Sequence, residues 1–562
     1  MPVSSRPRSP ALIAFLVALV INLVNLWEPL TVDDVCHHYY AAQVAKEPLR
    51  PFEFEVPWHQ QPQPAWNVMV APVNSYYWAP AIVLFGDSPV MWHLWYLPVQ
   101  WLFCLSLLAL LRRFVGRHAV PILAAIALGP SVLPGVNLML EVPMLALGLA
   151  GVEVFMRAVD RGSLSLALAA GLLQGLAVQT KYSALGLLGL WILAAMMHRR
   201  LRELVVGVVV AGALAGGIEA LIAWSHGGGS YFMQQVELTQ HRDWAHLIRG
   251  MFMQVGGLGV PVALLALYAM RVPRWVFAGV GVLYVAAFAV VAIVPNDDAR
   301  SLGDGALDSV AYLCLSLATW VSVVLLLWRV GGVVAVRAWR RCQLTPAHRV
   351  RLLLCGWALA HIASSFVVSP FPAARRSMMV VTALMFTAGW LAARSRRHQS
   401  GVKWICGLSV LLGLFYEGVD HLEGRACVAS ARDASAYVKA ANPDAKAYFT
   451  GGWGFEFYAP RNGLLPFNKG LVQVHKGDFV VVGSIDGSEQ CWFEPTDKLE
   501  YVHEVSHGDF VPYSLLFHYY SGLRPLDSQS GPRYFATIYR AKVDFHTSEL
   551  AVRPDLWHPT HR

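Results

Sequence analysis

"ALIAFLVALVINLVNLWEPLTVDDVCHHYY", residues 11–40, sets an apolar run directly against a pair of acids. A helix needs about 20 apolar residues to cross the ~30 Å hydrocarbon layer of a bilayer, and this first run has that character. Asp33, Asp34, His37 and His38 follow within a few residues of the membrane edge, where unpaired charge is costly. A basic start with Arg6 and Arg8 before an apolar run is also the pattern of a signal peptide. No small-x-small cleavage site follows, and the run ends in "NLWEPL", so the expectation is an uncleaved first helix.

The rest of the chain repeats that apolar pattern. Of its 562 residues, 56% are hydrophobic and 14% charged, which is far from the balance of a soluble domain. Runs of spanning length recur up to residue 420, about thirteen in all. A net charge of +8 raises the question of nucleic acid. Its placement answers it: Arg112, Arg113, Arg157, Arg161, Arg199 and Arg200 fall in connections on one side, as the positive-inside rule requires of the cytoplasmic face. The charge is topological, and no nucleic-acid partner is expected.

With a cytoplasmic start and an odd number of spans, three pieces lie outside: the loop 30–90, a segment near 225–250, and the tail 421–562. The tail carries a helical stretch, "RDASAYVKAAN", and the strand-like runs "AKAYFTG", "DFVVVGSI" and "RYFATIYRAKV". The expected fold class is therefore a polytopic α-helical membrane protein, with a transmembrane part over 1–420 and a small extracytoplasmic α/β domain over 421–562. The eight cysteines show no CxxC or zinc spacing. Cys427 and Cys491 fall in the tail, where an oxidising compartment would allow a disulfide.

Four places carry charge that the membrane reading does not absorb. Asp33 and Asp34 open the amphipathic stretch "VCHHYYAAQVA". Acids belong in a first helical turn, but that leaves unexplained the Trp-, Tyr- and Pro-rich loop behind them, with "PWHQQPQPAWN" and "VNSYYWAP". Aromatics of this kind suit both an interface belt and sugar stacking. Glu141 in "NLMLEVPMLALGLA" is an acid on an otherwise apolar helix, a functional candidate or the partner of a buried cation.

Lys181 in "LAVQTKYSALGLL" sits at a tight outer turn, either snorkelling or binding an anion where backbone N–H groups are free. Arg375 and Arg376 in "SPFPAARRSMM" oppose the positive-inside trend and suit a phosphate clamp or a headgroup anchor. Carboxylates that activate a hydroxyl and cations that hold a leaving phosphate are what group transfer from a lipid phosphate requires.

In these motifs the sequence resembles the GT-C membrane glycosyltransferases, in the branch of the protein O-mannosyltransferases and the lipid A aminoarabinose transferases. "TVDDVCHHYYAAQVAKEP" is similar to the family's acidic motif in the first external loop. "NLMLEVPMLAL" is similar to its Leu-Asp-x-Pro-like stretch, "LLQGLAVQTKYSALGLL" to its Thr-Lys turn, and "FPAARRSMMVVTALMF" to its late arginine segment. The family's His-Pro-Pro or Lys-Pro-Pro stretch is matched only in part, by "HQQPQPAW" or "VAPVNSYYWAP". Glu141 stands where Asp is usual, and "ARRS" lacks the tyrosine after arginine.

The resemblance implies an inverting transfer of a sugar from a polyprenyl-phosphate donor to the hydroxyl of a lipid, glycan or protein, on the outer face of a bacterial-type membrane. Asp33 would activate the acceptor hydroxyl or hold it through a metal, Asp34 would orient Asp33 or the acceptor, and Lys181 with Arg376 would neutralise the departing phosphate. Asp33, Asp34, His37 and His38 include usable ligands for a divalent metal, and helical spacing would place Asp34, His37 and His38 on one face. "TGGWGFEFYAPRNG", residues 450–463, reads as a packed strand-to-helix turn or a lid over substrate. The rival class is a transporter or lipid flippase, which would spread its charges through the midplane on paired broken helices.

Overall fold

The computed structural model describes residues 9–552 apart from 59–60, 69–70, 227–229, 241, 294–306, 333, 335, 337–344, 396–398, 453, 486–487, 490, 495, 509–510 and 529–531. Arg6, Arg8 and Trp453 lie outside the described residues. Among those described, eight helices are long and apolar enough to cross a membrane. A ninth span results if Trp244–Leu258 and Val260–Met270 are one crossing, bent by 64°. Gly259 and Pro261 at the junction account for the bend, because proline removes a ladder donor and crowds the preceding turn. Pro10–Asn25, Gly116–Ala127, Leu164–Val178 and Tyr182–His198 are shorter apolar helices.

Burial separates the centre of the bundle from its rim. Four-fifths of the apolar windows in Glu141–Arg161 (78%) and Ala374–Arg394 (83%) are covered by protein, against 17% in both Leu201–Ser225 and Arg274–Ile293. The rim helices expose Val205, Val209, Leu221, Val282 and Val285, a surface that lipid tails satisfy and water would not. The bulky core of Phe103, Leu107, Leu149, Phe155, Trp191 and Phe386 lies between the central helices.

Gln399–Ala441 runs unbroken for 43 residues, about 65 Å at the α-helical rise, more than twice the hydrocarbon thickness. It starts as an apolar span and ends as the support of a sheet, so the helix expected at "RDASAYVKAAN" is its last part. The sheet order is Leu465–Pro466, Ala447–Thr450, Phe479–Ile485, Tyr534–Ala541, Leu499–His507, parallel over the first three and antiparallel over the rest. Every residue of Phe479–Ile485 is buried, as a strand covered on both faces requires. One face meets Ala431, Ala434 and Val438 of the long helix, and the other packs on Phe467, Trp492 and Phe493. Cys427 is a free thiol in the first of these layers, while Cys491 belongs to the second, so the pair is not bridged.

The loop after the first helix folds on itself at the end of the bundle nearest the sheet. It contains the helix Asp33–Lys46, the ribbon Glu55–Trp58 with Gln61–Pro64, and the helix Val73–Phe85. Trp78, Trp92 and Tyr96 form its apolar centre. Val73 N donates to Gln179 O at 3.0 Å, tying the loop to the turn that carries Lys181.

Candidate active site

Four chain segments begin or turn around one cavity of about 210 Å³. Asp33 is the first residue of Asp33–Lys46, and Glu141 is the first of Glu141–Arg161. Lys181 precedes the 3-10 turn Tyr182–Leu187, and Arg375 and Arg376 lie in the turn Ala374–Ser377 that leads into Met378–Arg394. All five side chains line the cavity, together with His37, Thr180, Tyr182, Ser183, His361, Ser364 and Ser365. Acids in first turns are favoured by the free N–H groups there, which also favour an incoming anion.

Arg375 is the hub. Its guanidinium donates to Asp33 Oδ2 at 2.6 Å, and its Nε lies 3.8 Å from Glu141 Oε1. It also lies 5.6 Å from the ring centre of Tyr520, which comes from the chain after the sheet begins. Lys181 Nζ pairs with the same Glu141 oxygen. The side chains of Arg375 and Glu141 are 8% and 4% exposed, those of Asp33 and Lys181 25% and 24%, so the latter two present the open edge of the network. Arg376 stacks 3.9 Å from the centre of the Phe371 ring, and its buried Nε has no hydrogen-bond partner. Two carboxylates therefore face three cations, and the positive surplus is on Arg376.

Burial alone would raise the pKa of Asp33, but the charge of Arg375 and the hydrogen bond it donates outweigh it and hold the carboxyl below the usual range. Asp33 is thus an ionised acceptor. Burial lowers His37 to about 4, so its ring is neutral. Lys181 falls to about 8, because burial and the neighbouring arginines outweigh the attraction of Glu141.

Asp34 behaves differently. Both its oxygens are enclosed without a donor, and burial, with Asp33 and Asp420 nearby, pushes its pKa well above the carboxylate range. It belongs with Glu28, Glu417 and Asp420, buried acids that lie near one another and outside the cavity lining. His38 turns into the aromatic centre of the loop, 4.8 Å from the Trp92 ring and 5.4 Å from that of Phe457. The expected grouping of Asp34, His37 and His38 is corrected accordingly: one turn apart, Asp33 and His37 share the cavity face, and Asp34 and His38 do not.

Asp33 is engaged by Arg375 and His38 is packed among rings, so the four residues do not converge as ligands. Among the described residues no group of three His, Cys, Asp or Glu is arranged to hold a metal ion.

Sequence reasoning passed over His361, Ser364 and Ser365, although "HIASS" sets them at i, i+3 and i+4 on one face of an apolar span, a visible polar stripe. It also passed over Glu417, Asp420 and Glu423, spaced every third residue along "YEGVDHLEG". Within 450–463, Thr450 ends the strand Ala447–Thr450 and Phe455–Arg461 is helical, with Gly454 preceding it at positive φ. Glu456 there accepts from Gly454 N at 3.1 Å, and burial raises its pKa to about 7.

No protein-family model matches the chain, and no curated protein does. Among solved structures it is similar to the oligosaccharyltransferase of Archaeoglobus fulgidus in the apo form, at 14% identity and a TM-score of 0.45, over 82% of this chain and 64% of that one. The archaeal oligosaccharyltransferase AglB from Archaeoglobus fulgidus, in complex with an inhibitory peptide and a dolichol-phosphate, is similar at 13% identity and a TM-score of 0.44, over 83% of this chain and 65% of that one. The chain thus spans less than two thirds of the length of either archaeal chain. ArnT from Cupriavidus metallidurans bound to undecaprenyl phosphate is similar at 16% identity and a TM-score of 0.38, over 84% of this chain and 92% of that one. At such identities and TM-scores the likeness assigns the chain no family and no residue a role.

Proposed function

We propose that the chain is a GT-C type glycosyltransferase that moves a sugar from a polyprenyl-phosphate donor to a hydroxyl acceptor, on the extracytoplasmic side of a bacterial-type plasma membrane. Residues 1–420 would form the transmembrane catalytic part, with the acidic loop 30–90, and residues 421–562 the extracytoplasmic domain. The observation that carries this reading is the pairing inside one cavity: an ionised Asp33 held by Arg375 stands beside Lys181 and the unpaired Arg376.

Asp33 accepts the proton of the acceptor hydroxyl as the oxygen attacks the anomeric carbon. The bond from that carbon to the phosphate oxygen breaks on the opposite face, which inverts the centre. The electron pair stays on the phosphate, where Lys181 and Arg376 offset the growing charge. Glu141 fixes Lys181 and Arg375 beside one another at the cavity. A membrane-edge site fits the donor, because its lipid delivers the reactive carbon to that depth. Dolichol-phosphate and undecaprenyl phosphate, held by the two neighbours, are lipids of the proposed donor class.

The test is mass spectrometry of lipids that co-purify in mild detergent, comparing wild type with Lys181→Ala/Arg376→Ala. A polyprenyl phosphate or its glycosylated form kept by wild type and lost by the double variant is the expected result. Equal retention in both, or no such lipid in either, overturns the donor assignment.

A further inference from the structure

Asp33 follows a residue in a conformation that side chains with a branched Cβ rarely adopt. Val32 has φ 49° and ψ −126°. Among the described residues two other non-glycine positions have positive φ, Arg199 and Arg271, and both close helices in the ordinary left-handed form. Val32 lies outside that form as well, in a region that glycine alone enters freely. Such strain persists only where surrounding contacts over-determine the backbone.

The contacts that do so come from the far end of the chain. Leu30 N donates to the Tyr458 hydroxyl at 2.8 Å across 428 positions. Gly454, at φ 112°, lies so close that a Cβ there would stand 2.8 Å from Leu30 O and 3.4 Å from Thr31 Cα. Both belong to the turn and helix after the strand Ala447–Thr450. That helix is fixed to the loop a second time, where Arg461 grips Asp87 with bonds of 3.0 and 2.7 Å. Leu30, Thr31 and Val32 are all buried, so water cannot replace these contacts.

We propose that Tyr458 and Gly454 are positioning residues, holding Leu30–Val32 in its strained turn and thereby aiming the Asp33 carboxylate at Arg375 across the cavity. The inference rests on the reading of Asp33 as the group that takes the acceptor's proton, but its geometry can be tested without it. When the hold is released, Val32 relaxes to negative φ, the start of the helix Asp33–Lys46 rotates, and Asp33 leaves the cavity axis. Lys181 and Arg376 belong to other segments and keep their places, so donor binding survives while turnover suffers.

The experiment compares wild type, Tyr458→Phe, Val32→Gly and the double variant by hydrogen exchange and by transfer kinetics. In Tyr458→Phe the amides of residues 30–34 exchange faster and kcat falls about tenfold, equivalent to about 1.4 kcal/mol of barrier, with the donor KM unchanged. Adding Val32→Gly restores most of kcat, because glycine holds the same turn without strain. A merely structural tyrosine would give no such rescue. Unaltered exchange over residues 30–34 in Tyr458→Phe, or a kcat loss that Val32→Gly does not relieve, overturns the proposal. If the wild type transfers no sugar from any polyprenyl phosphate, the transferase reading fails, and the exchange result still decides the positioning role.

Discussion

Arg375 and Asp33, 342 positions apart, meet across 2.6 Å with the guanidinium donating to the carboxylate. The pair joins the first loop to the start of one of the most enclosed helices of the bundle, and it keeps Asp33 ionised inside a largely covered site. An acid spent wholly on structure has no reason to stay a quarter exposed on a cavity edge, as this one is.

Asp33→Asn keeps an oxygen for Arg375 and removes only the basicity. Transfer is expected to fall by at least about 100-fold, the lower range for loss of a general base, with the melting temperature in detergent little changed because Arg375 retains Glu141. Initial rates and thermal unfolding of the same preparation check both parts. Full transfer by the asparagine variant would remove Asp33 from its role.

Lys181 sets the alkaline limit. Its pKa is lowered from 10.5 to about 8, so between those values the unfolded chain holds more protons than the folded one, and stability rises with pH across that window. The charge on Lys181 is lost over the same range, so retention of a lipid phosphate is expected to weaken as pH rises through about 8. Lys181→Arg stays charged there and should flatten the decline. Lipid retention measured from pH 6 to 10 in both proteins separates these outcomes.

Some of this site could be read from the sequence and some could not, for a physical reason. Asp33, Glu141, Lys181, Arg375 and Arg376 are charged exceptions within apolar surroundings, and such exceptions are costly enough to be visible one at a time. Their convergence depends on how remote elements pack. Periodicity says that Asp34 and His38 share a helix face, but not that this face looks toward Glu28 and Trp92 rather than toward the cavity. Tyr458 was hidden for the same cause, since its partner is a backbone N–H with no identity in the sequence. The end of the membrane part was hidden differently. Polarity rises after residue 420 while the helix continues to Ala441, because charged residues such as Glu423 and Arg425 form helix as readily as leucine does.

Gly413 marks a close crossing. A Cβ there would sit 2.0 Å from Leu128 O, a backbone atom that cannot swing aside. Ser409, one turn earlier on the long helix, donates to Ala125 O at 2.7 Å and locks the same contact. Gly413→Ala is expected to push the long helix off its neighbour at a cost of about 1–3 kcal/mol, typical of overpacking. Since that helix also carries the sheet, hydrogen exchange should quicken at its sheet contacts as well as at the crossing. A melting temperature equal to wild type would show that the crossing tolerates the methyl group.

Glu423 is where the sheet is fastened to the long helix. Its carboxylate accepts from Leu515 N at 3.1 Å, from Leu516 N at 2.5 Å and from Arg533 at 2.9 Å, and its side chain and that of Arg533 are 2% and 1% exposed. Glu423→Ala strands a guanidinium and two backbone donors away from water. Breaking a buried pair from one side costs about 3–5 kcal/mol, several times the ~0.2–1 kcal/mol of an exposed pair such as Arg461 with Asp87. The Glu423 variant should therefore melt well below wild type in detergent, while Asp87→Ala should melt within a degree or two of it. Replacing both partners, as Glu423→Leu/Arg533→Met, removes the stranded charge and should recover part of the loss. A Glu423→Ala protein as stable as wild type would mean that water reaches Arg533 and that the sheet is held chiefly by the apolar contacts of Ala431, Ala434 and Val438.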